Sequence, residues 1–385
     1  MRPARACKGG LLLSFPLAVA ALSWAGCGGD DDARPQATAD ASGGDAGATD
    51  SAGGDAAPPV TPKGSRVLGL DIATDDPAYY DNVQFARDAA AISSSTVRLT
   101  WDTIERPADA GAGAEAGATD VFFAGLHVFG LVLSSTGVGA AVTIDVLDAN
   151  GFRGPSDLAA SPLDSSAVAE RFDRVTDYAL DQLHDVNVTA LFLASDVDRV
   201  FGDDPKRYAA FASLVGHVAT HVHSTYPSVP VGVVVSYDIV EAKKELLAPV
   251  WNASNVIGIR YMPSSVATKP TADLTGVVFT VTAGKPIFVA AGYPSSGPSG
   301  PADQAAFVHD LFSAWDALGT NIRHVTFFEL DDAPPDVAAA RAAAQGHAND
   351  PSFTARVGSY GLRDTAHRPK AAFTTFAAEA HARGF

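Results

Sequence analysis

Val188-Thr-Ala-Leu-Phe-Leu-Ala194, the helical pattern of residues 205–225 and Pro230-Val-Gly-Val-Val-Val-Ser236 decide the fold. The two outer runs are short and almost continuously apolar, as in strands covered on both faces of a parallel sheet. Between them Tyr208, Phe211, Leu214, Val215 and Val218 recur at helical spacing and share one face. The same unit repeats along the chain. Further strand-like runs lie at 66–71, 96–101, 139–146, 256–261, 286–291 and 322–328, and helical patterns cover 164–185, 302–318 and about 369–383. Eight strand–helix alternations within residues 65–385 predict an α/β fold, a (β/α)8 TIM barrel rather than an open doubly wound sheet. No Gly-x-Gly-x-x-Gly follows the first strand, which removes the main dinucleotide signal. Residues 107–119, rich in Ala and Gly, read as a flexible insertion after the second strand.

Working outward to the N-terminus, Arg2, Arg5 and Lys8 precede a short apolar run from Leu11 to Trp24 that contains Pro16. The run is short for a membrane span and has the build of a signal peptide over residues 1–26. It ends Leu22-Ser-Trp-Ala-Gly-Cys27, which resembles the lipobox of bacterial lipoproteins, with Trp24 where an aliphatic residue is usual. The resemblance implies that Cys27 is lipidated and anchors the chain to a membrane of the cell envelope, at about 0.8 kcal/mol per buried CH₂. Cys7 departs with the signal, so the mature domain has no disulfide. Residues 27–64 read as this Cys followed by a disordered tether of Asp, Gly, Ala, Ser and Pro, too poor in large apolar side chains to offset its ordering entropy. Asp40, Asp45, Asp50 and Asp55 extend it by repulsion and lack the ligand order of a calcium loop.

The formal net charge is −17, with no Lys/Arg cluster in the mature part, which argues against a nucleic-acid partner. No cofactor or metal is expected. His217 and His221 stand at i, i+4 but lack the Glu of a His-Glu-x-x-His motif and read as surface histidines. No Gly-x-Ser-x-Gly elbow surrounds Ser195 or Ser236.

In a barrel of this kind, chemistry sits at the C-terminal ends of the strands. Reading those ends gives Asp71, Arg98, Trp101, Asp145, Asp196, Asp198, Tyr237, Tyr261, Tyr293, Glu329 and Asp331. Carboxylates with aromatic rings suit a carbohydrate site. Rings stack on sugar faces, while carboxylates accept hydroxyl bonds and can move protons.

Three segments then resemble the retaining (β/α)8 glycoside hydrolases, near the endo-galactanases and related endo-glycanases. They are Leu191-Phe-Leu-Ala-Ser-Asp-Val-Asp198, Lys285-Pro-Ile-Phe-Val-Ala-Ala-Gly-Tyr-Pro-Ser-Ser296, and Tyr360-Gly-Leu-Arg-Asp364 with Arg368-Pro-Lys-Ala-Ala372. The resemblance covers most of residues 66–385. Family members close the fourth strand with Asn-Glu, whose Glu is the acid/base; here the pair is Ser195-Asp196. They carry a nucleophilic Glu two residues before the Gly of Gly-Tyr-Pro-Ser; here that position is Ala290. A methyl group cannot attack an anomeric carbon, and Asp withdraws the acid by about 1.5 Å. Loss of a covalent nucleophile costs about 10⁴-fold or more in rate. Arg98 matches the Arg that braces the nucleophile and, with Ala290 opposite, is expected to turn to Asp71, Asp102 or Glu329. Tyr261 matches a family Tyr, and Phe327 or Phe328 replaces the usual Trp.

Three readings stay open. The first is a degenerate barrel that binds a polysaccharide, an oligosaccharide or another surface ligand without cleaving it. The second is an active hydrolase with relocated carboxylates, Asp196 as acid and Glu329 or Asp331 as base, about 6.5–9.5 Å apart. The third is an envelope scaffold with no small-molecule ligand.

Overall fold

The computed structural model describes residues 60–105, 125–263, 269–281, 284–297 and 300–385. The signal, Cys27, most of the tether and the 107–119 insertion lie outside them. Eight parallel strands form the barrel: β1 (Val67–Leu70), β2 (Ser94–Thr100), β3 (Gly139–Asp148), β4 (Val188–Ser195), β5 (Val231–Ser236), β6 (Val256–Tyr261), β7 (Ile287–Ala291) and β8 (Ile322–Phe327). Each pairs with its sequence neighbour, and β8 closes on β1 through Val67↔His324 to Leu70↔Phe327. The expected alternation is therefore present as a closed barrel. Gly151–Phe152 adds a two-residue antiparallel turn-back beyond the end of β3.

Helices cover the outside, among them Tyr79–Ala90, Ser166–Gln182, Pro205–Thr225, Gly300–Leu318 and Ala371–Ala382. Pro205–Thr225 starts where the sequence says it should. Pro205 needs no N–H partner at the first helical position, and the Asp204 carboxylate accepts from Lys206 N at 3.0 Å. None of the described helices is long and apolar enough to cross a membrane.

Two apolar layers hold the barrel. The larger lies between strands and helices. The smaller fills the barrel axis with Ala141, Ala190, Phe192, Val234, Val256 and Phe288, and Ala290 packs against it. Phe192 and Phe288 meet edge to face at 5.0 Å. Gly258 makes this possible, because a Cβ there would lie 3.0 Å from the Phe192 ring and 2.8 Å from Val234. His324 sits in the same interior, 4.2 Å from the Phe288 ring, and burial drives its pKa down to about 3, so it is neutral.

The underside is sealed by charge. Asp316 accepts from Arg66 at 2.7 Å and from Arg383 at 2.7 and 3.1 Å, and both arginine side chains are almost wholly buried. Removing the shared counter-charge leaves buried Arg66 without a carboxylate and Arg383 with Glu379 alone. Asp316→Ala is expected to lower unfolding stability by about 3–5 kcal/mol in urea denaturation. Asp310→Ala, an exposed neighbour on the same helix, should change little.

Candidate functional site

At the C-terminal end of the barrel, Asp71, Arg98, Ser195, Arg260, Ala290, Thr326 and Phe328 surround a cleft whose floor is Phe192, Val234 and Phe288. The space within it that a water-sized sphere can occupy is about 30 Å³, room for one or two waters. Two ion pairs cross this mouth. Arg260 holds both oxygens of Asp196, one at 2.5 Å, and the pair is almost wholly buried. Arg98 donates to Asp145 at 3.0 Å and to the Ser195 hydroxyl, which reaches the other Asp145 oxygen at 3.2 Å. The expectation that Arg98 turns to Asp71, Asp102 or Glu329 is therefore corrected. β2 and β3 run in register with Arg98 beside Thr143, so the Asp145 carboxylate lies within reach and is already buried.

Glu329 lies just beyond β8 with φ +65°, and Asp196 follows β4 with φ +57°. Left-handed backbone at non-glycine residues is costly and concentrates at functional mouths. Glu329 accepts from Arg341 at 2.5 Å; its other oxygen is buried with no hydrogen-bond partner among the described residues. Burial pushes the Glu329 carboxyl up against the pull of Arg341. Asp71 takes no side-chain hydrogen bond among the described residues. Burial, and then the negative charge of Glu329, raise its pKa from 3.8 to about 7, while Arg98 and Arg341 pull the other way. Burial likewise raises Asp145.

The remaining expected site residues are dispersed. Asp198 is buried one helical turn after β4, and burial together with the Asp196 charge raises its carboxyl. Trp101 begins a short helix behind the barrel wall, wedged against Phe152 and Phe172, with its indole N–H on Glu105 at 2.7 Å. Tyr261 lies in the layer beneath the helices, its hydroxyl on Asp273 at 2.6 Å and its ring against Tyr237 and Phe307. Tyr293 stacks on Phe307 as well. Asp331 is clamped by Arg363 through both oxygens, at 2.6 and 2.7 Å. Asp331, Asp76 and His367 bring metal-capable donors within 4.8 Å of one another, but the Arg363 cation already occupies Asp331. Sequence reading did not single out Arg260. Its signal is a lone cation near the end of an otherwise apolar strand, which must meet a buried counter-charge.

Two of the three segments that carried the family resemblance, 285–296 and 360–372, are locked together here. Gln304, buried, donates to the carbonyls of Tyr293, Tyr360 and Gly361 at 2.8–3.1 Å. Lys370 reaches Asp332 at 2.6 Å, Gly361 O at 2.7 Å and Ser295 at 2.8 Å. A Cβ on Gly361 would meet Asp332 N at 2.1 Å, so only glycine fits.

Solved structures share this fold, a (β/α)8 barrel, and those that match include glycoside hydrolases. An exo-β-1,4-mannosidase from an Opitutaceae bacterium superposes with a TM-score of 0.61 at 13% identity, covering 82% of this chain and 59% of that one. A family 39 glycoside hydrolase from Bacteroides cellulosilyticus gives 0.53 at 11%, covering 82% and 64%. A structure described with two fungal β-1,4-galactanases gives 0.56 at 14%, covering 80% and 98%. The chain thus spans less than two thirds of the first two proteins. No protein-family model and no curated protein sequence matches it.

Asp71 supplies a pH signature. Its folded pKa lies above its unfolded value, so the fold penalises the ionised form. Its contribution is neutral below about pH 4 and becomes destabilising as pH rises toward 7. Asp71→Asn should match the parent in thermal unfolding at pH 4 and exceed it at pH 8 by up to about 4 kcal/mol. Equal stability of the two proteins at pH 8 would contradict this assignment.

Proposed function

We propose that this chain is an exported lipoprotein, held to the cell envelope through Cys27, whose glycosidase-like barrel binds a glycan without cleaving it. The observation that carries the reading is the buried Arg260–Asp196 pair beside Ala290. Arg260 and Ala290 are direct neighbours on β6 and β7. The resemblance matches Asp196 to the acid/base and Ala290 to the nucleophile. An acid must release and recover a proton at the leaving oxygen. A carboxylate gripped at both oxygens by a guanidinium is poorly placed to do so. The position matched to the nucleophile offers only a methyl.

The binding half of the reading rests on the cleft. Asp71, whose carboxyl takes no side-chain hydrogen bond among the described residues, stands above an apolar floor and is the group there that can meet a sugar hydroxyl. The proteins that share the barrel act, by their descriptions, on mannosides and galactans. The scheme with Asp331 as base loses support because Arg363 holds both its oxygens. One observation favours a second reading. Asp71 and Glu329 are coupled carboxyls with raised pKa values, as an acid/base pair would need.

A panel of β-1,4-galactan, β-glucan and arabinan separates the readings. Under the proposal the purified protein releases no reducing ends, yet is retarded in an affinity gel containing one of the three. Asp71→Ala should weaken that retention about 5- to 150-fold, the cost of stranding buried polar groups. Hydrolysis that disappears in Asp71→Asn would establish the second reading instead. Neither retention nor release would leave only the scaffold. For the anchor, Cys27→Ser should abolish incorporation of labelled fatty acid and release the protein from the membrane fraction.

A further inference from the structure

Three arginines stand around the mouth, and each has its own carboxylate. Arg98 donates to Asp145 at 3.0 Å, Arg260 grips Asp196, and Arg341 reaches Glu329 at 2.5 Å. Asp71 has no such partner among the described residues, although its position is fixed. Its N–H donates to Phe327 O at 2.9 Å and its carbonyl accepts from Leu330 N at 2.8 Å, so the chain at the end of β8 holds it from both sides. The residue is partly exposed and lines the cleft. Hydroxyls nearby are already engaged, Ser195 with Arg98 and Asp145, and Thr326 with His324 at 3.0 Å.

Size and charge together restrict what can meet this carboxyl. The roughly 30 Å³ that a water-sized sphere can occupy admits a group no larger than a water or two and excludes a pyranose ring. A sugar lying over the mouth can therefore send down one substituent. An ionised Asp71 stands above Phe192, Val234 and Phe288, a poor setting for a carboxylate without a counter-charge. A sugar hydroxyl brings one donor and no charge. A primary ammonium is nearly the same size, brings three donors and cancels the charge.

We propose that Asp71 makes the cleft a subsite for a primary ammonium, and that the glycan favoured here carries a free amino group. The inference rests on the glycan reading above and narrows it. The groups facing Asp71 are Glu329 beyond β8, Arg98 on β2, and Arg341 and Tyr79 on the surrounding helices. Guanidinium groups stay charged, and burial keeps the Tyr79 hydroxyl neutral. Burial raises the Glu329 carboxyl too, and Arg341 is its partner. Without a ligand Asp71 is mostly protonated below about pH 7. An ammonium must displace that proton, so its binding weakens about tenfold for each pH unit below 7. Exposed carboxyls titrate near pH 4 and give little slope between pH 5 and pH 6.

The test compares three β-1,4-linked oligosaccharides of one length, built from glucosamine, N-acetylglucosamine or glucose. They place an ammonium, an acetamide or a hydroxyl on the same ring carbon. Calorimetry at pH 6 with the full-length protein should show the glucosamine oligomer binding at least about tenfold tighter than either of the others. Its affinity should rise about tenfold from pH 5 to pH 6, with a proton released on binding. Asp71→Asn, a variant expected to fold at least as firmly as the parent, should lose both the preference and the slope. Asp310→Asn removes an exposed carboxylate on an outer helix and should keep both, which separates the subsite from attraction by the net charge of −17. Equal binding of the three oligomers overturns the inference and leaves the glycan reading standing. A preference for the amine that survives in Asp71→Asn overturns it as well. Failure of all three to bind while galactan is retained removes the ammonium subsite alone; failure of every glycan removes both.

Discussion

The Arg260–Asp196 pair governs the mouth of this barrel. Two charges removed from water cost several kcal/mol each, and only near-ideal geometry returns that cost. Here the carboxylate is gripped at both oxygens and the pair is shut away from solvent. Neither partner can leave without stranding the other. The pair therefore sets the rest of the cleft. Arg260 fills space beside Ala290, Asp196 is withdrawn from the opening, and the apolar floor of Phe192 and Phe288 lies directly beneath. Arg98 repeats the pattern from β2 by taking Asp145 and Ser195. Asp71, at the mouth, keeps its oxygens free of hydrogen bonds among the described residues.

What persists of the glycosidase-like segments is what holds loops. Gly361 permits close approach to Asp332, Arg363 and Lys370 clamp the two aspartates after β8, and Gln304 ties Tyr293 after β7 to the turn at Tyr360 and Gly361. Under the proposed reading, the departures that matter fall at Ser195-Asp196 and Ala290, the positions the resemblance matches to chemistry. Such a split is physically reasonable. Loop locks contribute to stability whatever the cleft does, whereas a carboxylate without a catalytic task is costly to bury and is better paired or replaced.

Strand and helix order was legible because apolar spacing switches between two periods, and capping chemistry marks boundaries such as Asp204-Pro205. The barrel's inside and outside were not. Both faces of these strands are buried, so apolarity does not distinguish them. Arg260 points into the mouth while Tyr261, one residue on, points to the helices. Trp101 was expected at a strand end, but Thr103 bonds back to the Thr100 backbone and starts a helix at Trp101, swinging the indole behind the wall. A one-residue difference in boundary reverses the face a side chain joins. Ion-pair choice was equally hidden. Asp196 and Arg260 are 64 residues apart, and only closure of the barrel brings them together.

The most direct test is a stoichiometric one. Protein in excess over a size-defined β-1,4-galactan oligosaccharide is incubated for days, the bound fraction is separated, and the eluted sugar is weighed by mass spectrometry. The account predicts that sugar is captured and returns at its original length. Shortened products in amounts that grow with time would show a working acid in the mouth and contradict it.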